Sequence, residues 1–156
     1  MDDAINREDI IEYNEFSKAV DVDKIPFEKL MGVFIAFLCD ELTASESLQK
    51  LGIDDESAAI IRNYADKGKA FLNMAISKES LVAERVSAWK AHKGMPDNSM
   101  RKNLLRVVIC CLGDEEDAMY DTYGPEELLG AFFSSLLDLG SGYCAQFRYY
   151  LQRAFQ

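Results

Sequence analysis

Apolar residues recur along this chain with helical spacing almost throughout. Phe27, Leu30, Met31, Phe34 and Leu38 follow the i, i+3, i+4, i+7, i+11 rule, which places them along one side of a helix. Val33, Ile35 and Phe37 fill the other directions, so this helix is apolar nearly all round and belongs at the centre of the fold. Pro26 sits where a first helical residue tolerates it. A second long helix is predicted from about Asp55 to Ile76, through Ile61, Tyr64, Ala65, Phe71 and Leu72, with Gly68 as a kink point. A third, near Lys78 to His92, presents Val82, Val86 and Trp89. Lys90, His92 and Lys93 crowd its last turn and Gly94 follows, a favourable C-terminal sequence.

Pro96-Asp97-Asn98 then turns the chain and caps a helix from roughly Ser99 to Leu112. Gly124-Pro125-Glu126-Glu127 starts another, with negative charge in its first turn and a broad apolar face of Leu128, Leu129, Phe132, Phe133, Leu136 and Leu137. Gly140-Ser141-Gly142 ends it. A final helix carries Tyr143, Phe147, Tyr150, Leu151, Ala154 and Phe155, with Tyr149 pointing away from that stripe. Near the start, Tyr13, Phe16 and Val20 suit an amphipathic helix capped by Asn6. No alternating run bounded by hairpin turns signals strands, and neither a repeat nor sustained heptads are visible. The expectation is an all-α fold: one domain over residues 1–156, a bundle of about six to eight helices.

Charge adds a direction to this picture. The net charge is −10, which argues against non-specific binding to nucleic acid or anionic membranes. Residues 1–60 carry 15 acids and 5 bases, residues 61–110 carry 4 and 10, and residues 111–156 carry 8 and 2. A basic middle therefore lies between acidic ends, so part of the charge is available for internal pairing and the rest for a partner. Met1-Asp2-Asp3-Ala4 has acids where a signal peptide has Lys or Arg, and the uncharged runs Leu30–Cys39 and Leu128–Leu137 are too short to span a bilayer. A cytoplasmic chain with its four cysteines as thiols is expected.

The stretch "LRVVICCLGDEEDAMYDTYGPEE" poses the sharpest chemical question. Cys110 and Cys111 are adjacent on a helix and diverge by about 100°, which suits neither chelation nor an ordinary disulfide, so they read as core. The acids that follow fail as a calcium loop in either register. Counting from Asp114 puts Ala118 and Met119 at its fifth and sixth positions, and counting back from Gly124 puts Met119 at its first.

Other chemistries fail as well. The single histidine, His92, has no nucleophile at hand and is accounted for by charge–dipole stabilisation at a helix end. Gly140-Ser141-Gly142-Tyr143-Cys144-Ala145 matches a dinucleotide fingerprint only formally, because it follows a helix. The basic group Lys90, Lys93, Arg101, Lys102 and Arg106 lacks the aromatic interleaving of a nucleic-acid patch. No catalytic residue, metal or cofactor is expected. A chain without recoverable chemistry works by binding. Its candidate contact residues are Asp114, Glu115, Glu116, Asp117, Tyr120, Asp121, Tyr123, Glu126 and Glu127, where carboxylates steer a basic partner and tyrosines supply contact area.

In size, charge, lack of chemistry and the stretch "ERVSAWKAHKG" followed by "RKNLLRVVICCL", the chain resembles the small acidic immunity proteins of bacterial toxin systems, including those of contact-dependent growth inhibition. The local likeness covers Glu84 to Leu112. Immunity proteins adopt many folds, so the resemblance implies none, and it carries over no binding residue. It implies an antitoxin that neutralises one cognate toxin domain, such as a basic nuclease, by masking its active site or blocking its assembly. The alternative is a helical adaptor or regulatory subunit, as a homodimer through Phe132/Phe133 or Tyr149.

Overall fold

The predicted helices are present in the computed structural model of the protein, which describes residues 7–156. Its elements are α1 (Glu8–Ala19), α2 (Phe27–Phe37), α3 (Ser45–Lys50), α4 (Asp55–Leu72), α5 (Lys78–Lys93), α6 (Met100–Cys110), α7 (Tyr120–Leu137) and α8 (Tyr143–Phe155). Among the described residues there is no strand. None of these helices is long and apolar enough to cross a membrane. Asn6, the expected cap of α1, lies outside the described residues.

The all-round apolarity of α2 has the predicted consequence. Phe27, Leu30, Met31, Phe34, Ile35 and Phe37 are all buried. This helix packs on α4, α7 and α8, and so joins the α1–α7–α8 group to the α4–α5–α6 group. Where α2 meets α7 and α8, Phe34 stacks on Phe132 at 4.1 Å, and Phe147 lies 4.6 Å from Phe132, 5.1 Å from Phe133 and 5.3 Å from Phe37. Such offset and edge-on pairs add to the large area each ring buries. Phe132 and Phe133 thus belong to the interior and offer no dimer surface.

Local chemistry sets the helix ends. The side chains of Asp54, Ser77 and Ser99 accept from the backbone N–H groups of Ser57, Ser80 and Lys102 at 2.7, 3.1 and 3.3 Å, capping α4, α5 and α6. Ser99, rather than the Pro96–Asn98 turn, is therefore the cap of α6. Pro26 stands one residue outside α2, at ψ 147°. After α2 the chain widens into a π turn, Leu38–Leu42, closed by Thr43 N–H to Leu38 O at 2.9 Å. Neither this turn nor the short α3 is visible in the apolar spacing.

Two glycines differ in what they do. Gly68 does not kink α4, which is helical through it. A Cβ at that position would lie 2.7 Å from the Cys111 carbonyl oxygen, so glycine is there to let α4 approach the end of α6. Gly124 does break a helix. At φ 69° and ψ −170° it separates a turn at Tyr120–Tyr123 from the straight part of α7 that begins at Pro125, where the sequence predicted a helix start.

Helices α1 and α8 are tied together by charge. Both carboxylate oxygens of Glu8 accept from the Gly142 N–H, at 2.9 and 3.0 Å, at the start of α8. Arg148 on α8 pairs with Glu12 on α1.

Candidate protein-binding surface

The acidic segment after α6 is held in place by the basic middle of the chain. Arg85 Nη1 donates to Leu112 O at 3.0 Å and to Asp114 Oδ2 at 3.4 Å, while its Nη2 lies 3.4 Å from Asp117 Oδ1. Lys78 Nζ lies 3.9 Å from Asp114 Oδ1 and also pairs with Glu116. Asp114 Oδ1 accepts the Asp117 N–H at 2.9 Å, folding the segment into a turn. Asp114 is only 5% exposed. Burial pushes its carboxyl up, but the Asp117 N–H together with Lys78 and Arg85 outweighs that and holds it below the ordinary carboxylate range. Hydrogen bonding to Glu116 raises the Lys78 ammonium in turn.

Tyr120 is a second anchor. Its hydroxyl donates to Ile25 O at 2.5 Å and its ring stands edge-on to Phe27 at 5.3 Å. Burial, with Glu115 nearby, pushes its pKa up to about 12. Asp114 and Tyr120 thus fix the segment to α5 and α2. The other sequence candidates, Glu115, Glu116, Asp117, Asp121, Tyr123, Glu126 and Glu127, are all exposed. Glu116 and Asp117 are partly neutralised by Lys78 and Arg85. Glu115, Asp121, Glu126 and Glu127 make no ion pair with another described residue. Among them stand Tyr123, 53% exposed, and Met119, half exposed in the left-handed region at φ 50°.

Beside this segment lies a groove of about 660 Å³. Phe27 and Met31 of α2, Phe71 and Leu72 of α4, and Met74 and Ile76 of the α4–α5 turn give it apolar walls. Glu28, Glu115 and Glu116 lie on its rim, and Lys78 closes one end over Asp114. The sequence reading missed this groove because it assigned Phe71, Leu72 and Ile76 to one continuous helix. The chain instead leaves α4 at Leu72, with Met74 in the left-handed region at φ 60°.

On the opposite edge of α5 the sequence reading also needs correction. The stripe Val82, Val86 and Trp89 is not the buried one. Leu81 and Ala88 are buried with Arg85 between them, while Val86 and Trp89 are half exposed. Trp89 meets His92 edge-on at 5.4 Å, beside a cleft of about 590 Å³ that also holds Lys102 and Arg106. Burial, then Lys102 and Arg106, push the His92 pKa down from its ordinary value, which works against the charge the sequence placed at this helix end.

The adjacent cysteines diverge as expected. Cys111 is buried in the core, and Cys110 faces Ser135 Oγ at 3.8 Å. All four cysteines are free, and burial pushes the Cys110 and Cys111 thiols up. Among the described residues, no three His, Cys, Asp or Glu side chains are grouped to hold a metal ion. Comparison of the chain with protein-family models, curated proteins and solved structures gives no match.

Proposed function

We propose that this chain is an immunity protein that binds a cognate, basic toxin domain and neutralises it by covering that domain's working surface. The observation that carries the reading is the division of labour along 114–127. Asp114 and Tyr120 are consumed in anchoring the segment, which leaves Glu115, Asp121, Glu126 and Glu127 unpaired around the exposed Tyr123. A fixed row of carboxylates raises the encounter rate with a cationic surface by about 10- to 1,000-fold at low salt. A tyrosine in its midst supplies the rigid amphipathic contact typical of binding hot spots. The same reading has the protein act in the cytoplasm, consistent with four cysteines that stand as thiols.

The test is capture of the native partner on the tagged full chain, followed by expression of each captured domain with and without the chain. A captured basic domain that kills alone and is harmless with the chain supports the proposal. Captured partners that are harmless alone refute it.

A further inference from the structure

The groove beside the acidic segment is walled by apolar side chains, several of which the core covers only in part. Phe71, Leu72 and Ile76 are only half buried, and Met74 is 91% exposed at its lip. A turn that needs a left-handed residue normally takes glycine or asparagine, because a side chain there costs roughly 1 kcal/mol or more. This chain spends a methionine on that position instead, and turns it outward. Methionine is the side chain that adapts best to apolar surfaces of varied shape, and Met31 adds a second to the same groove. The groove is open along one side, and its volume of about 660 Å³ is room for several side chains of a partner.

Charge says what the inserted group looks like. Of the charged residues lining the groove, Glu28, Asp114, Glu115 and Glu116 are acidic and only Lys78 is basic. Lys78 is already engaged by Asp114 and Glu116, so it offers little to an anion. Glu28 and Glu115, both exposed, are left on the rim. An apolar trough with carboxylates at its edge is complementary to a segment whose apolar side chains are flanked by cations. This is the pattern of an amphipathic helix laid in a groove.

We infer that the groove between α2, the end of α4 and residues 111–116 is a docking site for an apolar segment of a protein partner flanked by Lys and Arg side chains. The inference rests on the binding reading above and assigns the anchoring contact to the groove, with the neighbouring carboxylates as the steering surface.

The test uses the isotope-labelled full chain and three synthetic amphipathic peptides of about four helical turns. One carries Leu along a stripe with Lys at both ends, one has Glu in place of Lys, and one has Ser in place of Leu. The Lys-flanked peptide is expected to shift the NMR signals of Met31, Phe71, Leu72, Met74 and Ile76, and the other two are expected not to. The double variants Met74→Ser/Ile76→Ser and Glu28→Lys/Glu115→Lys each weaken that binding roughly tenfold or more. Equal binding of the Glu-flanked peptide, shifts confined to Glu126, Glu127 or Trp89, or no binding at all would overturn the inference. A chain that protects against its toxin yet ignores the peptides refutes the groove alone. One that takes the peptides but protects against no toxin refutes the immunity reading alone.

Discussion

Gly68→Ala adds one methyl group at the closest approach made by any glycine of the chain. The new carbon would sit 2.7 Å from the Cys111 carbonyl oxygen and 3.7 Å from Leu112 Cδ2. Carbon–oxygen contacts settle near about 3.3–3.6 Å, so relief needs a shift of more than half an ångström, roughly. The obstructing atom is backbone, so α4 and the end of α6 must move apart. Overpacking of this kind costs about 1–3 kcal/mol, while alanine returns about 1 kcal/mol of helix propensity. The obstructing atom is backbone and cannot swing aside, so the steric cost wins, with a net loss of up to about 2 kcal/mol expected. Gly130, also within a helix, provides the control. It is exposed with nothing within 4 Å of an added Cβ, so Gly130→Ala gains up to about 1 kcal/mol. Urea unfolding of both variants gives midpoints that move in opposite directions with unchanged slope. If Gly68→Ala stabilises the protein as Gly130→Ala does, the close packing of α4 on α6 is wrong.

Asp114→Ala strips the turn of its acceptor and leaves the Arg85 guanidinium without its buried partner, an expected loss of roughly 2–4 kcal/mol in urea unfolding. Glu115→Lys and Asp121→Lys, on exposed neighbours, are expected to stay within about 0.5 kcal/mol of the parent. Because the fold depresses the Asp114 pKa, its contribution to stability is present above the unfolded value of about 3.9 and is lost as pH falls through the folded value. In Asp114→Ala, thermal melts lose that part of the acid dependence. The His92 imidazole, followed by NMR, titrates with a midpoint below 6.5, and Arg106→Gln moves it upward by removing a like charge. Tyr120→Phe loses the bond to Ile25 O and about 1 kcal/mol.

The core was legible because its signal is redundant. In α2 and α7, many large apolar side chains agree on one placement, and Phe34, Phe132 and Phe147 meet where the spacing put them. Helix α5 was misread because its packed face carries a single large apolar residue, Leu81, beside a small one and a charged one. Leu81 and Ala88 are seven apart, and Arg85 lies between them because its guanidinium reaches Leu112 O and Asp114. Arg85 looks like surface in the sequence, and only tertiary partners at positions 112 to 117 turn it inward. Gly68 carried the same ambiguity, since a kink and a close approach both call for glycine.

The acidic segment itself was found by composition, but composition does not divide it. Nothing in "GDEEDAMY" distinguishes the buried Asp114 from the exposed Glu115, because the distinction is made by Lys78 and Arg85 on another helix. One signal was present. Asp114 stands three residues before the N–H it accepts, at the spacing of a side-chain cap. The groove was hidden for a related reason. Its walls come from three separated stretches, and their apolar residues look like ordinary core until the chain is seen to leave α4 at Leu72.

The most direct measurement concerns rate rather than affinity. Association of the captured partner is followed with the wild-type chain and with the Glu115→Lys/Asp121→Lys/Glu126→Lys/Glu127→Lys variant, at low and at high salt. If exposed carboxylates steer the encounter, the variant associates at least about tenfold more slowly at low salt, and the gap closes at high salt. Equal association rates at low salt, with the variant folded, would contradict the claim that this protein recognises its partner through that surface.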